Sequence, residues 1–268
     1  MLSQLRKRKT RRGQPVREST VQHYLSAVSA VLSDAKRNEI IQTNPARMID
    51  LPTTNRMEQH IPTVQEVQRL LQALSMEPRH FRVFYLLAMA TGCRRGELCA
   101  LQWQDIDWEQ RSIHICRSAV KITGDEIFVK EPKTRSGDRY VYFSAQMENL
   151  LREYRRACQY ITTIYDEREL DTNDFLFRRQ GTRLPMTPTT FTWRFKCILK
   201  KNGLPQELNV HSLRHTAASL MIAGGTDVAT VAGILGHSQP STTLDIYTHA
   251  FDKNKKAASA GLQGMLEI

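Results

Sequence analysis

The sequence predicts a mixed α+β fold, mainly α-helical, with a small antiparallel β-sheet. Three observations predict it. Most segments repeat apolar residues every three or four positions, the spacing of a helix with one buried face. The stretch from Trp103 to Ser144 instead alternates β-branched and aromatic residues with polar ones, the period of a half-buried strand. The segment MIDLPTTNRMEQHIP, with two prolines and little periodicity, reads as a linker (52–62) between a short region (1–51) and a larger domain (63–268).

The chain opens with LRKRKTRRGQPVR, basic and punctuated by glycine and proline. It reads as an extended arm, with Arg6, Lys7, Arg8, Lys9, Arg11 and Arg12 as candidate phosphate contacts or as a solvated tail. A helical stretch follows from Ser19 to Pro45. Ser19 or Thr20 can cap it, and Val21, Leu25, Val28 and Leu32 form its apolar face. Past the linker, Thr63 and Glu66 form a capping box before Val67, Leu70, Leu71 and Leu74. A helix through FRVFYLLAMA ends near Thr91-Gly92, and RRGELCAL adds a short helical piece. Then WQDIDWEQRSIHICRSAV reads as a strand. EIFVKEPKTRSGDRYVYFS reads as two strands joined by a Ser-Gly-Asp turn. The remaining segments are helical: MENLLREYRRACQYI, TTFTWRFKCILKKN, HSLRHTAASLMIAGG, TDVATVAGILGH and PSTTLDIYTHAF.

Composition narrows the partner. The net charge of +11 on 268 residues favours polyanions, of which nucleic acid is the commonest. The five cysteines show no CxxC pair and no zinc-ligand spacing, which suggests free thiols in a reducing cytoplasm. The longest apolar run, VFYLLAMA, is far short of the roughly 20 residues that span a bilayer. The first residues lack the apolar centre of a signal peptide. A cytoplasmic protein without membrane attachment is expected.

The chemistry-bearing residues concentrate in the larger domain. On a helix, His211, Arg214 and His215 share one face, with Leu213, Ala217 and Leu220 on the opposite, buried side. Taken singly, each polar residue has an ordinary explanation. Arg94 in TGCRRGEL fits a surface helix start, Lys133 an exposed turn, His237 the exit of a helix, and Tyr247 a half-buried aromatic.

Their order changes that reading. TGCRRGEL, a lysine in a β-hairpin, HSLRHT, LGHS and IYTH closely resemble the tyrosine recombinase family, the phage-integrase type of site-specific recombinases. The likeness runs from Thr63 to about His249, with a weaker echo at 19–45, and is greatest for integrases of bacterial phages and conjugative transposons. It implies a tyrosine-recombinase catalytic domain preceded by a partial helical core-binding domain. In that family the two domains clamp DNA, and about 60 residues precede Thr63 here, matching the later half of such a domain. Either the chain is a shortened member or its first helices are missing.

The resemblance also assigns roles. Arg94 and Arg214 become the catalytic arginines, Lys133 the hairpin lysine, His211 and His237 the two histidines, and Tyr247 the nucleophile. His215 and His249 would support them, while Arg95 occupies a variable position and receives no role. It implies double-stranded DNA recombination sites as partner and a homo-tetramer exchanging C-terminal tails, with room for an accessory excisionase. No cofactor and no metal are expected, because paired guanidiniums can hold the phosphate oxygens and stay charged. A tyrosine hydroxyl, with a reference pKa of about 10, needs a base, for which His211 is the candidate. Lys133 would protonate the departing 5′ oxygen.

Three rivals stand beside this reading. A zinc hydrolase would need the glutamate of HExxH, which HSLRH lacks. A type IB topoisomerase shares the chemistry, although the short chain and the LGHS…YTH ending fit integrases better. An inactive DNA-binding regulator would have no reason to keep the catalytic positions.

Overall fold

The computed structural model describes residues 7–10, 13–49, 62–122, 126–132 and 137–237. The chain divides into two compact units, Met1–Glu58 and Gln59–Ile268. Of the expected features, Arg6, Arg11, Arg12, the linker up to residue 61, Lys133, Tyr247, His249 and the last helical segment with the tail lie outside the described residues.

In the first unit the basic arm folds back rather than extending. The Thr10 amide donates to the Gln14 carbonyl at 2.7 Å, and Lys9 bridges Pro15, leaving Lys7, Arg8 and Lys9 exposed. Helix α1 (Glu18–Arg37) starts one residue before the expected caps, so Ser19 and Thr20 sit in its first turn and Arg17 precedes it without a side-chain cap. It buries Val21 and Leu25, while Val28 and Leu32 stay half-buried. Asn44 locks the return of the chain. Its amide donates to the Ser29 carbonyl and the Ser33 hydroxyl, both at 2.9 Å, and its oxygen accepts from the Ala46 amide. That caps a 3-10 turn at Pro45–Met48.

The second unit opens with α2 (Val64–Ser75), where the expected capping box forms. Thr63 Oγ1 accepts from the Glu66 amide and Glu66 Oε2 from the Thr63 amide. Its buried side is Leu70, Ala73 and Leu74, while Leu71, expected inside, is exposed. Next come α3 (Arg79–Thr91), α4 (Arg95–Cys99), and a 3-10 turn at Trp103–Asp105. Five short strands follow: β1 (Ile106–Asp107), β2 (Ser112–Ile115), β3 (Ser118–Lys121), β4 (Ile127–Lys130) and β5 (Arg139–Tyr142). Helices α5 (Ala145–Asp166), α6 (Pro188–Lys201), α7 (Val210–Ala223) and α8 (Val228–Leu235) complete the described residues.

The strands correct the sequence reading twice: the stretch 103–120, read as one strand, holds a 3-10 turn, β1, β2 and most of β3. β4 and β5 are not a hairpin. β4 pairs antiparallel with β3, and β5 returns to pair with β2, opposing Ile113 with Val141. Both of those side chains are buried, and burying them together outweighs the local turn signal. The core joins α3, α6 and the chain around Phe177. Phe84 stacks on Phe191 with ring centroids 3.7 Å apart, and the buried Tyr85 hydroxyl donates to the Phe191 carbonyl at 2.7 Å.

Candidate active site

Helix α7 is the centre of the site. Asn209 caps it, accepting from the His211 amide at 2.9 Å and the Ser212 amide at 3.2 Å, so the helix begins where His211 must project from its first turn. The expected two-faced pattern is only half right. α7 packs against α3, α6 and α8, so Arg214 and His215 are buried along with Leu213 and Ala217, whereas Leu220, expected inside, is exposed. Of the three polar residues, His211 alone stays exposed. Arg214 is therefore held by protein groups.

Those groups are backbone carbonyls. Arg214 donates to the Gly92 carbonyl at 2.8 Å and the Leu235 carbonyl at 2.7 Å. Arg94, immediately before α4, donates to the Gly236 carbonyl at 2.8 Å and to Glu97 Oε1 at 2.8 Å. A third arginine, Arg139 at the start of β5, donates to the Ile234 carbonyl at 2.7 Å and to Glu97 Oε2 at 2.9 Å. Three guanidiniums thus take three consecutive carbonyls at the carboxyl end of α8, where unpaired C=O groups and the helix dipole favour cations. His237 follows directly, its amide donating to the Ala232 carbonyl at 2.9 Å.

Local sequence explains how these pieces meet. Gly92 ends α3 in a left-handed conformation, φ 65°, turning the chain towards Arg94. At Gly96 a Cβ would lie 2.6 Å from Ser118 Oγ and 2.8 Å from the Ala119 carbonyl, so only glycine lets α4 lie against β3. Asp227 caps α8 through the Thr230 amide, and Ala218, Ile222, Val231 and Leu235 seat α8 on α7.

The electrostatics are those of a site short of negative charge. Burial pulls Arg214 down to about 10, helped by Arg94, which still leaves it charged at neutral pH. Desolvation, then Arg214, Arg94 and Arg95, lower His211. His215 is pushed down to about 4 by desolvation, His211, Arg214 and His237; its ring meets that of His211 edge to face at 4.6 Å. His237 is also pushed down to about 4, by desolvation and then Arg214, Arg94, His211 and Arg139. Burial would raise Glu97, but hydrogen bonds and charge from Arg139 and Arg94 outweigh it and hold the carboxylate ionised. An anion entering here would relieve the repulsion and raise every imidazole.

Four expected residues, Arg94, His211, Arg214 and His237, are therefore brought together, and His215 packs behind them. Lys133, Tyr247 and His249 lie outside the described residues. Arg95 bonds Thr192 of α6. Sequence reading missed Glu97 and Arg139. An acid three residues after Arg94 at a helix start was a usable signal for the first, while Arg139 shows its role only through long-range contacts. Among the described residues, no cluster of His, Cys, Asp or Glu could hold a metal ion, and no helix is long and apolar enough to cross a membrane.

A family model described as the phage integrase family matches residues 62–254. The chain is 26% identical over 247 residues to the ICEBs1 integrase of Bacillus subtilis (strain 168), covering 92% of this chain and 66% of that protein. It is 29% identical over 212 residues to a tyrosine recombinase XerC-like protein of Caldanaerobacter subterraneus subsp. tengcongensis, covering 72% of this chain and 51% of that protein. The chain thus spans between half and two thirds of the length of these relatives. Among solved structures it is similar to the Tn1549 transposon integrase in complex with transposon right end DNA. That likeness has a TM-score of 0.77 at 22% identity, over 91% of this chain and 80% of that one. A lambda integrase dimer bound to a COC′ core site gives a TM-score of 0.56 at 18% identity, over 84% and 74%. These two likenesses concern the fold.

Proposed function

Because the chain belongs to the phage integrase family, we propose that it is a site-specific DNA recombinase. In this reading it cuts and rejoins DNA through a covalent 3′-phosphotyrosyl intermediate and serves integration and excision of a mobile genetic element. The observation that most supports this is the fastening of Arg94 and Arg214 to adjacent carbonyls immediately before His237, within the matched segment. Each guanidinium keeps donors free of its carbonyl contacts, and two such forks can hold the non-bridging oxygens of a phosphodiester as charge grows on them.

The steps follow from the groups. His211, neutral at physiological pH because its pKa is lowered, accepts the Tyr247 proton as the phenolic oxygen attacks phosphorus. The bond to the 5′ oxygen breaks, and Lys133 supplies the proton that the leaving oxygen takes. His237 donates a hydrogen bond to the phosphate. A neutral imidazole keeps one ring N–H for this bond, so no change of charge is needed. The phosphotyrosyl ester retains the energy of the broken bond, so a second DNA end can reverse the attack without ATP.

The partners proposed are double-stranded recombination sites, since a similar transposon integrase is described in complex with transposon end DNA. A homo-tetramer on DNA with exchanged C-terminal tails, an excisionase and a cytoplasmic location complete the proposal. Deleting residues after 255 is expected to impair assembly more than DNA affinity, measured by sedimentation and gel shift. Unchanged tetramer formation contradicts the tail's role.

The test is a nicked suicide duplex built from the DNA flanking the gene. A covalent protein–DNA complex surviving denaturation, absent in Tyr247→Phe, is expected. A complex formed equally well by Tyr247→Phe, or none with any flanking site, refutes the reading.

A further inference from the structure

We propose that Arg139 is the positioning residue of this site: by joining Glu97 to the end of α8 it sets where His237 stands. The proposal rests on the reading of the site above and adds a residue to which that reading gives no role. A guanidinium has five N–H donors, and Arg139 commits all five. Nε reaches the Ile234 carbonyl at 2.7 Å. One terminal nitrogen reaches Glu97 Oε1 at 3.3 Å and the Gly137 carbonyl at 3.4 Å; the other reaches Glu97 Oε2 at 2.9 Å and Cys93 Sγ at 3.8 Å. Among the described residues, the side chains of Arg94 and Arg214 commit two donors each.

That asymmetry separates the roles. Arg94, with its side chain 42% exposed, keeps donors that can face a phosphate, whereas Arg139 is buried and has none left to offer a substrate. It acts through what it holds. One end of its fork grips the carboxylate that also orients Arg94, and the other grips the carbonyl three residues before His237. A lysine at this position could neutralise Glu97 but, as a point charge, could not span both. Among the described residues, the charged and titratable groups facing this helix end are Cys93, Arg94 and Glu97 at and before α4, Arg139 from β5, and His211, Arg214 and His215 from α7.

The experiment uses Arg139→Lys in the full chain; if that protein fails to fold, Arg139→Gln is read by hydrogen exchange of the His237 amide, which faster exchange supports and unchanged exchange overturns, because losing the charge would itself move a titration. NMR titration follows the His237 imidazole, assigned by its loss in His237→Gln, with His80 on α3 as an internal control. Arg139→Lys keeps the charge, so a simple loss of repulsion moves nothing. Release of the helix end is expected to raise the His237 midpoint by more than one pH unit towards its ordinary 6.5, leaving His80 unmoved. In the suicide-duplex assay the same variant is expected to cleave at least tenfold more slowly, with DNA affinity within twofold of wild type. A folded variant whose His237 titrates as in the wild type overturns the proposal. The titration needs no DNA, so a wild-type chain that never cleaves would refute the recombinase reading and leave the positioning claim standing on its own result.

Discussion

Gly92→Ala isolates the packing that joins fold to site. Gly92 has φ 65°, and a Cβ there would sit 2.5 Å from Leu235 Cδ2, inside any real contact distance. The left-handed conformation costs an alanine about 1 kcal/mol. Pushing aside Leu235, which is fully buried, adds roughly 1–3 kcal/mol of overpacking. The sum is about 2–4 kcal/mol, a large share of an ordinary domain's stability. At roughly 2–4 °C per kcal/mol for a unit of this size, the melting temperature should fall by about 5–15 °C. Gly181→Ala supplies the control, because Gly181 has φ 70° with open space around its would-be Cβ, so only the conformational cost applies. Thermal melts and urea titrations of both proteins give the comparison. The chemistry should suffer further, because the Leu235 carbonyl holds Arg214, and a shift of about 1 Å there can cost about a hundredfold in rate. Equal destabilisation by the two alanines would refute the claim that α8 is pressed against the end of α3.

Two more predictions concern charge. His215 and His237 take up protons near pH 4 in the fold and near 6.5 when unfolded, so between those values the unfolded chain binds more protons. Stability should be complete above about pH 6.5 and fall as pH drops to about 4, where the loss levels off. The buried His215 alone contributes on the order of 3 kcal/mol, and equal urea midpoints at pH 7.5 and 4.5 would contradict this. DNA affinity should fall steeply with salt, and replacing Lys7, Arg8 and Lys9 by alanine should lower the log–log slope by up to about 0.9 for each phosphate that the arm no longer neutralises. An unchanged slope would make the arm a bystander.

How much of this was legible in the sequence differs by element. The capping box at Thr63, the glycine stop after α3 and the burial of Leu70 and Leu74 on α2 were readable because they depend on neighbours within one turn. Leu71 and Leu220 were misjudged because periodicity locates an apolar stripe but not the width of the surface that covers it. The Ser-Gly-Asp signal suggested a hairpin, yet β5 found its partner well upstream, where Val141 meets Ile113. Arg94, His211, Arg214 and His237 stood out through their motifs. Their common anchor, the last carbonyls of α8, is backbone, and backbone leaves no letter in the sequence. Glu97 and Arg139 stayed hidden for a related reason, since an ion pair across 42 positions is invisible until the chain is folded.

In the proposed reaction the phenolic oxygen of Tyr247 forms a bond to a DNA phosphate held beside Arg94 and Arg214. The most direct measurement traps the covalent complex, digests it with nuclease and trypsin, and locates the nucleotide remnant by mass spectrometry. Residues 215–253 form one tryptic peptide containing a single tyrosine. A 3′-linked nucleotide on Tyr247 in that peptide is expected. A remnant on any other residue, or one linked through its 5′ phosphate, would contradict it.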